Sequence, residues 1–263
     1  MLYPRIIPCL LVKDKGLVKT KRFKDPKYVG DPINAVKIFN EKEVDELIVL
    51  DIDATAEQRE PDYRMIENLA AECRMPLCYG GGIKTVEQAK HIFSLGVEKI
   101  AVSSAAVEDH AIVAALADRV GSQSVVIVLD VKRKPLRGGY SVWTRNGKNN
   151  TELDPFDFAT RMEHLGAGEI VVNSIDDDGS MMGYDLQLAA RMRESLGLPL
   201  TVLGGAGSLD DIGKLIHHHK IIGAAAGSLF VFKGIYRAVL INYPNREEKE
   251  QLLQKYLFGH QGD

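Results

Sequence analysis

The stretch Glu46–Asp53 reads ELIVLDID, and Glu169–Asp176 reads EIVVNSID, 123 residues further along the chain. Each is a short apolar run that begins on glutamate and ends on aspartate, a pattern typical of a buried strand with polar ends. The glycine run Gly80–Gly82 has a counterpart at Gly204–Ala206, 124 residues further on. Matching segments in the same order, at a nearly constant spacing, predict a chain made of two similar halves.

Short apolar runs and amphipathic stretches alternate along the chain. The predicted strands are Arg5–Val12, Glu46–Ile52, Pro76–Tyr79, Lys99–Ser103, Ser124–Val131, Glu169–Ser174, Pro199–Leu203 and Ile221–Ala225. The predicted helices are Asp31–Asn40, Tyr63–Cys73, Thr85–Leu95, Val107–Arg119, Pro155–Leu165, Asp185–Leu196 and Leu209–His217. This alternation is typical of a (β/α)8 barrel, or TIM barrel, and a doubly wound open sheet is the competing α/β fold.

The internal repeat favours the barrel over the open sheet. A closed barrel places the equivalent strands of two halves on opposite sides, whereas an open sheet does not. We therefore predict an α/β fold, a (β/α)8 barrel built from two duplicated half-barrels. No linker or composition change divides the chain, so we expect one domain over residues 1–263.

Two segments are too long for ordinary strand–helix connections. Lys13–Gly30 is rich in lysine and arginine, and Arg133–Asn150 carries glycine-containing turns on both sides of Tyr140–Thr144. Such turns around a β-branched run predict a hairpin in the second segment. Both segments follow strands, so we expect both at the barrel end that carries active sites in this fold.

The composition argues against several classes of protein. The chain has 263 residues, is 45% hydrophobic and carries a formal net charge of −3, so neither a nucleic acid nor an anionic membrane is an expected partner. The apolar run Ile6–Val12 is too short to cross a bilayer. Three cysteines without metal-ligand spacing are interpreted as reduced thiols of a cytoplasmic protein. The adjacent histidines His217–His219 would point in different directions on a helix and so do not form one set of metal ligands. Neither a metal site nor a cofactor is expected.

Glycine-rich turns follow the third and seventh predicted strands, and serine-containing turns follow the fourth and eighth. Glycine lets backbone N–H groups converge on an anion, and a helix start attracts negative charge. Neighbouring turns are therefore predicted to form two phosphate sites on opposite sides of the barrel mouth, which indicates an elongated ligand with a phosphate at each end. Glycines that merely turn the chain are the alternative. The residues concerned are Gly81, Gly82, Ser103 and Ser104 in the first half and Gly205, Gly207, Gly227 and Ser228 in the second.

Asp130 is the strongest candidate for proton transfer. It interrupts an apolar strand at its carboxyl end, where an unpaired charge is costly and a general acid or base is expected. The equivalent position in the first half is Leu11, so a symmetrical pair of carboxylates is missing. Asp51, Asp176 and Asp178 also end strands, but each has the alternative of capping a loop or forming a salt bridge.

Four charged residues stand at or near the starts of predicted strands, at the barrel end opposite the expected active site. They are Arg5, Glu46, Lys99 and Glu169. Two positive and two negative side chains can pair there. From the residues alone, a neutral stabilising network is favoured over a plug or gate on the barrel axis.

A series of motifs resembles one known family. The motifs are RIIPCL at 5–10, GDP at 30–32, DELIVLDI at 45–52, GGGI at 80–83, SSAAVE at 103–108, GSQSVV at 121–126, LDVKR at 129–133, GAGEI at 166–170, SIDDDG at 174–179, GYD at 183–185 and GGAG at 204–207. In this order, along nearly the whole chain, they resemble the cyclase subunit of imidazole glycerol phosphate synthase.

The resemblance implies a duplicated half-barrel, a ribonucleotide ligand with two phosphates and a glutaminase subunit bound at the amino-terminal end of the barrel. In that family, ammonia from glutamine enters at the charged floor, travels along the barrel axis and reacts at the mouth. The products are imidazole glycerol phosphate and an aminoimidazole carboxamide ribotide.

The resemblance also assigns roles to individual residues. It implies that Asp130 is one of two catalytic aspartates and that Lys19, Asp51 and Asp178 lie near the ligand. It also implies that the charged floor is a gate for ammonia, which reverses the interpretation drawn from the residues alone. The gate residues would be Arg5, Glu46, Lys99 and Glu169.

The chain departs from the family pattern at two places. The second catalytic aspartate is expected at position 11, where this chain has Leu11, and KTKRFKDPKY at 19–28 replaces a glycine-containing closing segment. In this the chain is similar to a variant branch associated with surface-polysaccharide (O-antigen) genes, in which such a subunit is thought to supply ammonia to a sugar-modifying amidotransferase. We therefore predict an ammonia-receiving, cyclase-type subunit of a glutamine amidotransferase with weak or absent cyclase activity.

Two other functions stay open at this point. The chain is an authentic synthase subunit of histidine biosynthesis if another carboxylate, such as Asp14 or Asp51, replaces the missing one. It is a non-catalytic scaffold if it only activates a glutaminase partner. The related isomerase of the histidine pathway is disfavoured by the charged floor and by Leu11.

Overall fold

Within residues 3–135 and 138–258, which the computed structural model describes, eight parallel strands follow one another around a closed barrel. The barrel strands are β1 (Arg5–Lys13), β2 (Leu47–Asp51), β3 (Leu77–Gly80), β4 (Lys99–Val102), β5 (Val125–Arg133), β6 (Glu169–Ser174), β7 (Leu200–Leu203) and β8 (Gly223–Ala226). The ring closes where Arg5 of β1 pairs with Gly223 of β8. This closure confirms the predicted (β/α)8 barrel and excludes the open sheet.

Helices between the strands cover the outside of the barrel. They are α1 (Pro32–Glu41), α2 (Tyr63–Glu72), α3 (Val86–Ser94), α4 (Ser104–Glu108), α5 (Ala111–Val120), α6 (Pro155–His164), α7 (Leu186–Ser195), α8 (Leu209–His219), α9 (Ser228–Val231) and α10 (Arg246–Leu257). Several begin at side chains that accept a backbone N–H, as Asp31 does from Asn34 at 2.9 Å and Asp62 does from Met65 at 3.0 Å. These caps satisfy amide groups that the first helical turn leaves unpaired.

The single helix predicted over Val107–Arg119 is wrong. The chain instead forms α4 and α5, because Asp109 adopts an extended conformation and its carboxylate accepts the N–H of Ala111 at 3.0 Å. An aspartate that binds nearby backbone in this way competes with the helix and starts a new one.

The two long segments both fold as antiparallel hairpins at the carboxyl end of the barrel. Strands Gly16–Lys21 and Lys24–Gly30 pair with each other, and the first of them continues from β1. Tyr140–Thr144 pairs with the end of β5, with Asp130 opposite Trp143, so the hairpin predicted in the second segment is confirmed. Residues 136–137, within that segment, lie outside the described residues.

The barrel interior is filled by alternate residues of the strands. Charged side chains form its lowest layer, and uncharged residues such as Ile7, Ile48 and Val171 lie above them. Cys9 and Ala101 keep the layers near the mouth small, whereas Cys78 lies close to the floor, in register with Lys99. This alternation follows from the two-residue period of a strand, which sends every second side chain inward.

Candidate active site

A cavity of about 310 Å³ opens at the carboxyl ends of the barrel strands. Its wall brings together most of the residues predicted to act at the mouth, from both halves of the sequence. The predicted residues in the wall are Lys19, Asp51, Gly81, Gly82, Ser103, Ser104, Asp130, Asp178, Gly205, Gly227 and Ser228. A concave site at this end of a TIM barrel is where such proteins bind and transform their ligands.

Asp130 lies in the cavity wall near the end of β5. Its carboxylate accepts a hydrogen bond from Nδ2 of Asn173 on the neighbouring strand β6, at 2.9 Å. Burial raises the pKa of Asp130 to about 7, although the Asn173 hydrogen bond opposes the shift and the charge of Asp178 adds to it. A carboxyl that titrates near neutrality can both donate and accept a proton, as a general acid–base requires.

The opposite wall of the cavity is hydrocarbon. Leu11 on β1 pairs in register with Leu50 on β2. On the other side of the ring, Asp130 on β5 pairs in register with Asn173 on β6. Leu50 and Asn173 occupy the same position in the internal repeat, as do Leu11 and Asp130. The two halves therefore present equivalent pairs of opposite chemistry, one hydrocarbon and one polar.

The first predicted phosphate site combines a glycine turn with the start of α4. Gly81 and Gly82 have φ angles of +123° and +75°, and a Cβ at Gly81 would lie 2.5 Å from the carbonyl oxygen of Asp51. The hydroxyl of Ser104 lies 3.5 Å from the N–H of Arg145, which comes from the second hairpin. The glycine turn after β3 and the start of α4 therefore both line the cavity at the mouth.

The second predicted site is built in the same way from the other half, with one exception. Gly205 has a φ angle of +109°, and Gly227 and Ser228 start α9 beside it. Gly207, however, does not line the cavity, because its N–H donates to the Asp211 carboxylate at 3.0 Å. The Gly207 amide therefore belongs to the cap of α8, and a contribution of Gly207 to phosphate binding stays a prediction.

Lys19 reaches into the mouth from the first hairpin and lies buried there. Its ammonium donates to the Asp178 carboxylate at 2.6 Å, and the Thr20 hydroxyl donates to the same carboxylate at 3.0 Å. Gly227 accommodates this side chain, since a Cβ there would lie 2.8 Å from Cε of Lys19. The basic segment is thus an ordered hairpin held across the cavity by a buried ion pair.

Asp51 lies in the cavity wall, but its carboxylate accepts hydrogen bonds from the loop that follows it. One oxygen accepts the N–H groups of Asp53 and Ala54, both at 3.1 Å, and the other lies 3.6 Å from Arg59. Burial raises the pKa of Asp51, against the opposing hydrogen bonds of this loop and the charge of Arg59. This is the loop-capping alternative that the sequence left open.

The four charged residues at the barrel floor form a closed ring of ion pairs. Arg5 pairs with Glu46 and, at 2.7 Å, with Glu169. Lys99 pairs with Glu46 at 2.8 Å and with Glu169 at 2.9 Å. The two glutamates are almost completely buried, whereas the Arg5 and Lys99 side chains are 29% and 20% exposed. The ring closes the barrel axis at the end opposite the cavity; its role as a gate stays a prediction.

The ring strongly stabilises the charge of Glu169. Burial by itself would raise its pKa, but Arg5, Lys99 and the Thr201 hydroxyl outweigh that effect and lower the pKa to about 2. A carboxylate with a depressed folded-state pKa contributes stability above its unfolded pKa of about 4.5, and that contribution is lost as the pH falls through 2.

We therefore expect a specific acid sensitivity from Glu169. Between about pH 5 and pH 2 the free energy of unfolding should fall by about 3 kcal/mol through this residue. In Glu169→Gln that part of the pH dependence should disappear, and stability at pH 7 should be lower, because the change leaves Arg5 and Lys99 short of one partner. Urea unfolding at several pH values measures both effects. Glu67→Gln, an exposed carboxylate without an ion pair among the described residues, is the control; equal behaviour of the two variants would contradict this account.

Three residues of the site were not predicted from the sequence. Asn173 was detectable, because it interrupts an apolar strand just as Asp130 does. Arg145, in the predicted hairpin, and Arg237, in a hairpin that was not predicted, contact the serines of the two predicted phosphate sites. Only the closed fold brings these arginines to the mouth.

Membrane-spanning helices, metal-binding groups and the thiol in the cavity wall were also considered for the described part of the chain. No helix in it is long and apolar enough to span a membrane, and no group of three or more metal-binding side chains occurs in it. Burial raises the pKa of Cys9, in the cavity wall, to about 12, so this thiol is protonated and a poor nucleophile at neutral pH.

The closed barrel, the paired glycine turns at its mouth and the ion-pair ring at its floor define a TIM barrel built from two duplicated halves. The chain belongs to the histidine biosynthesis protein family, whose model matches residues 5–236.

Relatives of known name extend over nearly the whole chain. A protein of Vibrio vulnificus (strain YJ016) named "Putative imidazole glycerol phosphate synthase subunit hisF3" is 57% identical over 254 residues, covering 97% of this chain and 98% of the relative. A Leptospira interrogans protein named "Putative imidazole glycerol phosphate synthase subunit HisF" is 57% identical over 252 residues, 96% of this chain and 99% of the relative. The imidazole glycerol phosphate synthase subunit HisF of Trichormus variabilis (strain ATCC 29413 / PCC 7937) is 38% identical over 245 residues, 92% of this chain and 95% of the relative. The chain is therefore similar to the cyclase-type subunit over its full barrel.

Proposed function

We propose that this chain is the ammonia-receiving, cyclase-type subunit of a glutamine amidotransferase, and that it has weak or no cyclase activity of its own. The observation that carries the proposal is the hydrocarbon wall of Leu11 and Leu50 facing Asp130 and Asn173. Cyclisation of a bound ribonucleotide needs proton transfers on both sides of the ligand, and leucine can neither donate nor accept a proton. The cavity has both predicted phosphate sites, which would bind a ligand, but only one of the two expected catalytic carboxylates, Asp130.

The inside of the barrel supports the passage of ammonia. Above the floor ring the interior is lined by uncharged side chains, among them Ile7, Cys78, Val126 and Ala225. Neutral ammonia loses little on entering such a space, whereas an ion has a large desolvation cost. The ion-pair ring of Arg5, Glu46, Lys99 and Glu169 stands at the entrance as the gate.

The floor also suits a glutaminase partner. Tyr3 and Ile221 are 56% and 53% exposed there, next to the ring, since the N–H of Arg5 donates to the carbonyl of the neighbouring Ile222 at 3.0 Å. Exposed aromatic and aliphatic side chains beside charged groups are typical of a protein interface. A glutaminase seated at this end would release ammonia directly at the gate.

The mouth is assigned to a phosphorylated small molecule, held at the two sites that contain Ser104 and Ser228. In this proposal the ammonia is used in the amidation of a nucleotide sugar for surface-polysaccharide (O-antigen) synthesis, by an amidotransferase that consumes it. The proposal places the chain in the cytoplasm, where three free cysteines stay reduced.

The alternative of an authentic synthase subunit for histidine biosynthesis has less support. The Asp51 carboxylate is occupied by hydrogen bonds with its own loop. Asp14 does not line the cavity and lies 3.6 Å from the ammonium of Lys13. Neither carboxylate replaces the missing one at Leu11 without rearrangement.

The wild-type protein, assayed with ammonia and the ribonucleotide substrate of the synthase family, tests the proposal. We expect turnover far below about 1 per second, the lower range for metabolic enzymes, and no rescue of a histidine auxotroph when a compatible glutaminase is co-expressed. Binding of the same ribonucleotide serves as the control that the cavity is folded. Turnover at or above that rate, or growth of the auxotroph, would contradict the proposal and favour the authentic synthase.

A further inference from the structure

An arginine, Arg237, contacts the second predicted phosphate site through residues of the cavity wall. Arg237 lies in a hairpin formed by Phe232–Lys233 and Ala238–Val239. Its Nη2 donates to the Ser228 hydroxyl at 3.2 Å, and its Nη1 donates to the Gly179 carbonyl at 3.1 Å. Ser228 and Gly179 both line the cavity. The guanidinium is therefore fixed directly against the wall of this site.

The positive charge of Arg237 is not neutralised by the surrounding protein. Among residues 3–135 and 138–258, no carboxylate lies within ion-pair distance of it. The guanidinium lies 4.9 Å from the centre of the Phe232 ring, and the Lys27 ammonium lies 5.1 Å from the same ring. Lys27 also donates to the Arg237 carbonyl at 3.2 Å and, in the same described part of the chain, pairs with no carboxylate. Two cations around one ring leave a positive potential that a bound anion would offset.

The first phosphate site differs in this respect. The Ser104 hydroxyl is approached by the backbone N–H of Arg145, not by its side chain. The Arg145 guanidinium pairs with Glu108 at 3.0 Å. The two halves thus supply equivalent serines, but among the described residues the arginine near the first serine has a carboxylate partner and the arginine near the second has none.

We propose that Arg237 is a positioning residue of the second phosphate site and makes that site selective for a dianionic phosphate. A serine hydroxyl has one donor and two acceptor positions, so the N–H of Arg237 fills an acceptor position and leaves the O–H of Ser228 to donate to the ligand. The unpaired charge adds attraction that grows with the charge of the ligand. A ligand with two unequal phosphates then enters in one orientation, with its terminal phosphate monoester at Ser228. This inference rests on the proposed phosphate sites.

The test uses two small phosphates and backbone NMR of the full chain. Glycerol 3-phosphate, a monoester that is dianionic above its second pKa of about 6, is titrated at pH 8, and dimethyl phosphate, a monoanion, is titrated in parallel. Amide signals of Gly227 and Ser228 report the second site, and those of Gly82 and Ser104 report the first. In the wild type we expect the second site to bind the monoester more tightly than the first and to prefer it over the diester.

The variant Arg237→Ala should weaken monoester binding at Gly227 and Ser228 by about tenfold or more. It should also abolish the preference for the monoester there, while the first site stays unchanged. Arg237→Lys should keep part of the preference, because it keeps the charge. Lys233→Ala, an exposed lysine of the same hairpin, is the matched control and should bind as the wild type does.

Three outcomes of this experiment would count against the role inferred for Arg237. Wild-type affinity and charge preference in Arg237→Ala would overturn it and leave the ammonia-receiving function standing. Equal weakening at both sites would show a general structural effect, and would also overturn it. If the amide NMR signals of neither site shift in the wild type, the two turns do not bind phosphate. That result would contradict the phosphate-binding part of the proposed function as well.

Discussion

Leu11→Asp is expected to increase ammonia-dependent turnover of the synthase ribonucleotide by about a hundredfold or more, since a positioned general acid–base contributes roughly 10² to 10⁴. The new carboxylate would stand on β1, opposite Asp130 on β5, and restore proton transfer on both sides of the ligand. Its neighbour Leu50 would remain hydrocarbon, so the pKa of the new carboxyl should be raised by burial. That shift favours acid–base chemistry near neutral pH.

The matched control for this variant is Leu11→Asn. Asparagine has nearly the shape and polarity of aspartic acid but cannot exchange a proton at neutral pH. We expect Leu11→Asn to show the low turnover of the wild type. If Leu11→Asp is no faster than Leu11→Asn while both bind the ribonucleotide, the missing carboxylate is not what limits cyclisation in this barrel.

Asp130→Asn should lose function and gain stability. The folded-state pKa of Asp130 is raised to about 7, so ionising this group costs free energy in the folded protein, whereas the unfolded chain ionises it near pH 4. The free energy of unfolding therefore falls as the pH rises from about 4 to 7 and stays low above 7. Because the side chain lies at the wall of a cavity, we expect Asp130→Asn to be more stable than the wild type by about 2–4 kcal/mol at pH 8 and nearly equal at pH 4.

The same variant separates a reactive site from a pure scaffold. The side-chain carbonyl of the new asparagine would still accept the Asn173 hydrogen bond, so the wall keeps its shape while its titratable proton is removed. We expect loss of whatever product the assembled complex makes in the wild type, measured together with glutamine hydrolysis. Unchanged product formation in Asp130→Asn would support the non-catalytic scaffold, and unchanged stability at pH 8 would contradict the buried-charge account.

Some features of the site could be predicted because they follow from local patterns. The repeat of ELIVLDID and EIVVNSID indicates two buried strands at equivalent positions, and the matching segments LLVK at 10–13 and LDVK at 129–132 make Leu11 the equivalent of Asp130. The glycine turns after β3 and β7 were also identified correctly, since a positive φ angle favours glycine wherever it occurs. The extent of the domain, residues 1–263, stays a prediction.

Other features could not be predicted from the chain because they depend on which groups meet in the folded protein. Asp51 and Gly207 looked like ligand residues, but their polar atoms bind a nearby loop and the cap of α8. The Lys13–Gly30 segment gave no clear strand pattern, yet it folds as a hairpin in which Lys19 forms an ion pair with Asp178 at the mouth. The helix break at Asp109 depends on a single side-chain hydrogen bond.

The sequence by itself determined the duplicated barrel, the charged floor and the absence of a carboxylate at Leu11, because each is written in residue type and spacing. Only the tertiary structure decided which charges pair with a carboxylate in the described part of the chain, as Arg145 does, and which do not, as with Arg237. The physical reason is that strand and turn patterns arise from interactions between near neighbours, whereas the electrostatics of a site is the sum over groups that lie far apart in the chain and meet only when the barrel closes.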